Sequence, residues 1–489
     1  MSQIDISHLT FAYDGSYDEL FTDVSFRIDT DWKLGFCGRN GRGKTTFLKL
    51  LMGEYEYSGS ITSSVGFEYF PFAVPDMTIR TMDVLRGIDP GAPVWILEKE
   101  TGLLDIVPDA LDRPFCTLSN GEQTKALLAG LFCREGKFLL IDEPTNHLDM
   151  AGREVVARYL NGKSGFILVS HDRAFLDGCV DHILSINRAN IEVQSGNFSS
   201  WQLNKERRDS YELAENERLK KDIKRLTVSA RKRAEWSDKV EKAKIGTHSF
   251  DRGHVGHLAA KAMRRSKNIE RRGDRAIEEK EGLLKNLESA EPLKLRPLSY
   301  HAPRLLSVSE LSVRYGERPV FSGLSFSIER GDRVAVVGGN GSGKSSLLKL
   351  ICGEDIPHAG TVSVGSQLVL SAVPQDTSNL SGRLDDFSQG VDGVLFRAIL
   401  RKLDFSRSQF EKDLRDFSAG QKKKALLARS LCQHAHLYVW DEPLNYIDVL
   451  SRMQIEELIL EYRPTLLFVE HDRAFCEKIA TKTAELRGG

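Results

Sequence analysis

The run Gly35–Glu54, GFCGRNGRGKTTFLKLLMGE, returns as Ala335–Glu354, AVVGGNGSGKSSLLKLICGE. Each copy opens on an apolar, strand-like piece, passes through a glycine-rich turn and ends in helix formers. Both fit GxxxxGK[ST]. The first copy supplies Gly38, Asn40, Gly41, Gly43, Lys44, Thr45 and Thr46; the second supplies Gly338, Asn340, Gly341, Gly343, Lys344, Ser345 and Ser346. Glycines let successive backbone N–H groups turn inward around a phosphate, and the helix that follows adds the positive end of its dipole. Lys44 and Lys344 are placed to reach β and γ phosphates, and Thr45 and Ser345 to offer hydroxyls to Mg²⁺. A lone glycine-rich loop is moderate evidence, whereas a duplicated one with a strand before and a helix after points to nucleoside triphosphate binding.

Working outward, the rest of the chain repeats in the same order. FAYDG…LFTDVSFRID matches VRYGE…VFSGLSFSIE upstream; downstream, LSNGEQTKALLAGLF matches FSAGQKKKALLARSL, FLLIDEPTNHLD matches LYVWDEPLNYID, and ILVSHDRAFL matches LFVEHDRAFC. Two copies of one domain are therefore present. We expect nucleotide-binding domains at 1–200 and 301–489 and a linker at 201–300. Short β-rich runs (Lys137–Ile141, Gly165–Val169) alternate with helix-like stretches (Thr45–Leu51, Gln123–Phe132). That alternation predicts an α/β fold with a parallel sheet and ligands at the carboxyl ends of its strands.

Two of those strands end in acidic pairs, Asp142–Glu143 and Asp441–Glu442. The first carboxylate of each pair can position Mg²⁺ and the second can take a proton from an attacking water. A buried strand end would not carry such charge without a cation nearby.

LSNGE (Leu118–Glu122) and FSAGQ (Phe417–Gln421) then make the chain resemble the ATP-binding-cassette superfamily. The resemblance implies two tandem P-loop domains that clamp two ATP molecules within one monomeric chain, as an intramolecular cassette dimer. It pairs Lys44, Thr45, Asp142, Glu143 and His171 with Ser418 and Gly420, and Lys344, Ser345, Asp441, Glu442 and His471 with Ser119 and Gly121. It also assigns Glu143, Glu442, His171 and His471 to catalysis, and Tyr13 and Tyr315 to stacking on adenine. The family's Mg²⁺-binding glutamine is kept as Gln375, but Phe72 stands in its place in the first copy. DEPLNYID and Ala419 are departures in the second. Unequal hydrolysis at the two sites follows as an expectation.

Composition bounds the setting. The chain has 489 residues, and 68 Lys plus Arg nearly cancel 69 Asp plus Glu, so the net charge of -1 implies no anionic partner by itself. Its seven cysteines are scattered singly, as reduced core thiols would be. No run of about 18 apolar residues occurs, which argues against a membrane span, and MSQIDISHLTFAYDG does not read as a signal peptide. A cytoplasmic protein is expected.

The average charge hides a segregated linker. Between Lys224 and Arg272 there are fifteen basic and five acidic residues. Apolar residues recur at helical spacing on both sides of KIGTHSFDRGHVGH, so a long α-helical hairpin is expected, with arms of roughly 50–60 Å. A solvated coiled coil would carry such charge too; the gathering of basic residues toward the loop favours RNA. Lys244, His248, Phe250, Arg252, His254 and His257 are the candidate contacts, where planar groups could stack on bases.

With this linker and the undivided DEPTNHLD, the chain resembles the ABC-F ribosome-associated ATPases, and most of all the Lsa-type antibiotic-resistance members. A fused importer ATPase has a shorter linker and a longer interval between Walker loop and signature. The ABC-F resemblance implies binding of ATP and Mg²⁺, the ribosome as partner through 23S rRNA and P-site tRNA, and neither a membrane nor a transporter subunit. It further implies protection from lincosamides, streptogramin A compounds and pleuromutilins, or alternatively a translation factor that relieves stalled ribosomes without drug.

Overall fold

The computed structural model describes residues 2–14, 19–134, 136–186, 191–244, 295, 297–316, 318–403, 405 and 407–486. The chain divides into two compact units, Met1–Trp201 with Pro292–Gly489, and Gln202–Glu291. Both copies of the repeat lie in the first.

In the first copy the strand Gln3–Phe11 buries Ile4, Ile6, Leu9 and Phe11 and lies between antiparallel strands Phe21–Asp29 and Ser58–Ser63. Its alternation breaks at His8, which takes a positive φ of 54°. Gly59 faces that break: a Cβ there would lie 2.3 Å from the His8 carbonyl oxygen. Glu310 and Gly360 repeat the arrangement, with 2.4 Å in the same place. Even this backbone irregularity is duplicated.

The central sheet runs Gly66–Phe70, Lys137–Asp142, Phe166–Val169, Lys33–Cys37, His182–Ile186 and Ile191–Ser195, parallel except for the last strand. Phe166–Val169 is buried along its whole length, as a parallel strand covered on both faces must be. Phe138 and Leu140 point into one core with Phe36 and Phe47, whereas Leu139 and Ile141 point into another with the helices Thr81–Ile88, Asn120–Phe132 and Met150–Asn161. The second copy orders Leu370–Val373, Leu437–Asp441, Leu466–Val469, Arg333–Val337 and Lys482–Glu485 in a parallel sheet of the same plan. The α/β expectation of two tandem P-loop domains agrees with this architecture.

Element boundaries differ slightly from the sequence reading, for a local reason. The helix expected from Gln123 starts at Asn120 because Ser119 caps it in a reciprocal box with Glu122; Ser418 and Gln421 do the same for Ala419–Cys432.

A helix occupies Phe198–Lys244, 47 residues, or about 70 Å at about 1.5 Å per residue. It exceeds the expected arm length. The turn and second arm of the hairpin lie outside the described residues.

Candidate functional site

Each phosphate loop is shaped by its last glycine. Gly43 and Gly343 both have φ of 91° and precede the helices Lys44–Leu51 and Lys344–Ile351. A Cβ on Gly43 would lie 2.7 Å from Leu20, and one on Gly343 2.5 Å from Val320, so only glycine fits. The two lysines lie nearly buried beneath their loops. Lys44 Nζ donates to the carbonyls of Gly38 (2.7 Å) and Arg39 (3.1 Å), and Lys344 Nζ to those of Gly338 and Gly339 (2.8 Å each).

The strand ends bring the acids to the loops. Thr45 Oγ1 donates to Asp142 Oδ2 at 2.8 Å, and Tyr69 OH donates to the same oxygen at 3.0 Å. In the second copy Ser345 Oγ donates to Gln375 Oε1 at 3.3 Å. Burial pushes the carboxyls of Asp142 and Asp441 above their usual range. Asp441 Oδ1 is buried with no hydrogen-bond partner among the described residues. Among the described residues no cluster of three His, Cys, Asp or Glu could form a metal cage. Mg²⁺ in a phosphate loop takes a hydroxyl, water and phosphate oxygens instead. One hydroxyl, one carboxylate and an unpartnered buried oxygen fit that donor set.

Glu143 and Glu442 hold positive φ values of 52° and 47°, pinned by N–H bonds to the carbonyls of Val169 (2.9 Å) and Val469 (3.0 Å). A non-glycine residue in this region stores strain and points to a site. His171 Nε2 stands 3.2 Å from Glu143 Oε1, and His471 Nε2 3.5 Å from Glu442 Oε1. The two glutamates differ electrostatically. Burial and then the Asp142 charge raise the Glu143 carboxyl. Burial acts on Glu442 too but is outweighed by its bonds to His471 and Gln375, which leave it below its ordinary value. Burial, followed by the Lys44 and Arg452 charges, holds His171 below its ordinary value and hence neutral.

The signature residues arrive from the opposite half. A cavity of about 620 Å³ is lined by Lys44, Thr45, Asp142, Glu143 and His171 from the first copy and by Ser418, Gly420 and Tyr446 from the second. Asn40 Nδ2 donates to the Tyr446 carbonyl at 2.7 Å, and a Cβ on Gly420 would lie 2.9 Å from that same oxygen. The second site mirrors this: Asn340 Nδ2 lies 3.4 Å from the His147 carbonyl, and a Cβ on Gly121 would lie 3.2 Å from it. The structure thus brings each phosphate loop against the other half's signature glycine. Tyr13 is half exposed at the cavity wall, its OH 2.5 Å from Thr46 Oγ1; Tyr315 OH is 3.0 Å from Ser346 Oγ.

Several residues here were not singled out in the sequence. Arg153 Nη1 donates to Asp172 Oδ2 (2.8 Å) and, across the halves, to the His471 carbonyl (3.1 Å). Arg452 bonds Asp472 at 3.1 Å, and Arg173 pairs with buried Glu456 of the other half. Arg153 and Arg452 each sit four residues after the capping acids Asp149 and Asp448, so matching the repeats residue by residue would have found them. Tyr69 and Lys423 carried no repeat signal, because Ala372 and Thr124 occupy their places. Of the linker candidates, Lys244 is the last helical residue and its side chain is outside the description; His248, Phe250, Arg252, His254 and His257 lie outside the described residues.

A family profile described as ABC transporter matches residues 21–146 and 321–445. The chain is 28% identical to the ribosome protection protein VmlR of Bacillus subtilis, over 96% of this chain and 84% of that protein. It is 29% identical to the ATP-binding protein Uup of Caulobacter vibrioides (96% and 75%). It is 27% identical to the energy-dependent translational throttle protein EttA of Haemophilus influenzae (94% and 88%). Among solved structures, archaeal aABCE1, crystallised with the ribosomal stalk protein aP1, shares the fold with a TM-score of 0.65 at 18% identity, over 98% of this chain and 87% of that one. Because the profile spans both phosphate loops and both acidic strand ends, the chain belongs to the ABC transporter family, as a tandem-cassette ATP hydrolase.

Proposed function

We propose that this ATPase is an ABC-F protein of the ribosome protection type, closest in character to the Lsa-type resistance factors. In this reading residues 1–200 and 301–489 are the cassettes, and 201–300 form a basic hairpin that reaches 23S rRNA and the P-site tRNA from the exit site. The observation that carries it is the pairing of two mutually closed cassettes with an intervening basic segment, in a chain whose described helices include none long and apolar enough to cross a membrane. A relative named as a ribosome protection protein, matched over most of both chains, supports the same reading.

ATP in the cavity bridges Lys44 to Ser418 and Gly420, so its binding free energy favours the closed arrangement; Lys344, Ser119 and Gly121 act alike at the second site. Mg²⁺, when bound, neutralises charge on the β and γ phosphates; Thr45 and Asp142, and Ser345, Gln375 and Asp441, would hold it. Glu143 and Glu442 accept the proton of the attacking water, while His171 and His471 orient them. Closure favours the ribosome-bound state; hydrolysis reopens the clamp and releases it. Lincosamides, streptogramin A compounds and pleuromutilins are the clients.

Expression in a drug-sensitive host, with inhibitory concentrations measured for those classes, tests the reading. Raised concentrations are expected for at least one class, and unchanged values for all would sink it. The EttA relationship favours a second reading, a translation factor without a resistance role. Ribosome co-sedimentation without drug protection would select that alternative.

A further inference from the structure

The two phosphate sites differ along one strand. In the second half, Leu370–Val373 pairs Val373 with Trp440 and leads through Pro374 to Gln375, which receives the Ser345 hydroxyl. In the first half, Phe70 pairs with Ile141 and leads through Pro71 to Phe72. Phe72 offers no polar atom and is packed, partly buried, against the first-half core. One position earlier on the strand, Tyr69 pairs with Leu140 where Ala372 pairs with Val439. Alanine has nothing to reach with. Tyr69 reaches Asp142 Oδ2 at 3.0 Å, the oxygen that also receives Thr45 Oγ1 at 2.8 Å.

We propose that Tyr69 is a positioning residue of the first ATP site, its phenol fixing the carboxylate of Asp142 where the first half has lost the glutamine that serves the second. A hydroxyl carries one proton, so Thr45 alone would leave Asp142 with a single donor, from a residue that must also face the cation. Two donors converging on Oδ2 lock the carboxylate plane and aim its other oxygen. The substitution is therefore paired: a polar residue lost at Phe72 and one gained at Tyr69. This rests on ATPase chemistry alone and stands apart from the ribosome reading.

The test uses the full chain with Lys344→Ala, which confines nucleotide to the first site. Mn²⁺ is titrated in the presence of AMP-PNP and followed by electron paramagnetic resonance; nucleotide binding in EDTA is measured in parallel. Tyr69→Phe is expected to weaken Mn²⁺ binding roughly three- to tenfold, the loss of one hydrogen bond to a charged group, with metal-free nucleotide binding unchanged. Tyr69→Phe with Phe72→Gln is expected to recover most of it. Unchanged Mn²⁺ affinity in Tyr69→Phe overturns the proposal. A transplant keeps the question open to refutation if that variant melts early. In a Lys44→Ala chain, Gln375→Phe should weaken Mn²⁺ binding at the second site and Ala372→Tyr with Gln375→Phe should restore it; failure to restore overturns the proposal too.

Discussion

Asn40, in the first phosphate loop, donates its side-chain amide to the main-chain oxygen of Tyr446 in the other half, 2.7 Å away. The bond joins a loop that holds phosphate to the segment on which the opposing signature glycine, Gly420, is packed. The phosphate loop and the docking of the halves therefore meet in one side chain. Asn40→Ala removes the donor but leaves the glycines and Lys44 in place. One net hydrogen bond is worth about 1 kcal/mol, so the apparent ATP affinity of a hydrolysis-deficient chain should fall roughly fivefold. Fluorescent-nucleotide titration checks this, and an affinity equal to that of the parent would show that the contact does not help closure.

The two catalytic glutamates should not contribute equally. Each glutamate faces its histidine, Glu143 at 3.2 Å from His171 and Glu442 at 3.5 Å from His471, but only Glu442 is also braced by a glutamine, Gln375, which the first site lacks. We expect Glu442→Gln to remove the larger share of steady-state ATPase and Glu143→Gln the smaller. The double variant should be trapped on ribosomes in the presence of ATP. Phosphate release and sedimentation read the two outcomes separately; equal losses from the single variants would contradict the asymmetry.

Among the described residues the interface carries a buried and an exposed ion pair, which allows a direct comparison. Arg173 pairs with fully buried Glu456, while Arg473 and Glu154, 2.8 Å apart, are both more than half exposed. Breaking a buried pair leaves a charge in low dielectric, at a cost of about 3–5 kcal/mol, and an exposed pair is worth about 0–1. Lys478, 3.1 Å from Glu456, softens the first cost, so Arg173→Ala should lose about 3 kcal/mol and Arg473→Ala far less, its pair being solvent-screened. Chemical denaturation of the two variants measures this. Similar losses would mean that Arg173 is screened by water.

Much of this was legible in the sequence because it is written twice. Phosphate loops, acidic strand ends, signature caps and switch histidines recur in order, and a backbone conformation needed twice calls for the same residue twice, as with Gly43 and Gly343. The pairing of each loop with the opposite signature came from family resemblance, since nothing local in Lys44 or Ser418 encodes their proximity. What stayed hidden is what the copies do not share. Tyr69 reads as a β-forming aromatic on an apolar strand, and its hydroxyl acquires meaning only when the register sets it beside Asp142. Lys423 reads as one of a solvated run of lysines, yet it is almost fully buried.

Lys423 offers a prediction from that second case. Its Nζ donates to the carbonyls of Pro374 (2.8 Å), Gln375 (3.4 Å) and Asp441 (2.9 Å), tying the helix capped by Ser418 to the glutamine loop and acidic strand end of the second site. In the first half the Thr124 hydroxyl bonds back to its own helix, at the Asn120 carbonyl. Lys423→Met leaves the buried Asp441 carbonyl and the part-buried carbonyls of Pro374 and Gln375 without this donor, at about 1–3 kcal/mol. It should lower hydrolysis at the second site, measured in a Glu143→Gln background, several-fold more than at the first, measured with Glu442→Gln. Equal effects in the two backgrounds would make Lys423 a general prop.

The linker provides the remaining prediction, which separates the ATPase from its use. Phe250, His254 and His257 fall in the glycine-broken segment between two stretches whose apolar residues recur at helical spacing, where the surrounding charge is strongly basic. Planar side chains stacked on bases contribute about 1–3 kcal/mol each, and none of them belongs to either ATP site. Replacing Phe250 and its neighbours with alanine should leave nucleotide affinity and basal ATPase unaltered while lowering the drug concentrations that the host survives. The salt dependence of ribosome binding should change little with these residues and should weaken when Lys244 or Arg252 is neutralised, because only phosphate contacts release counterions. Equal inhibitory concentrations for the parent and the Phe250 variants would remove this segment from the proposed protective mechanism.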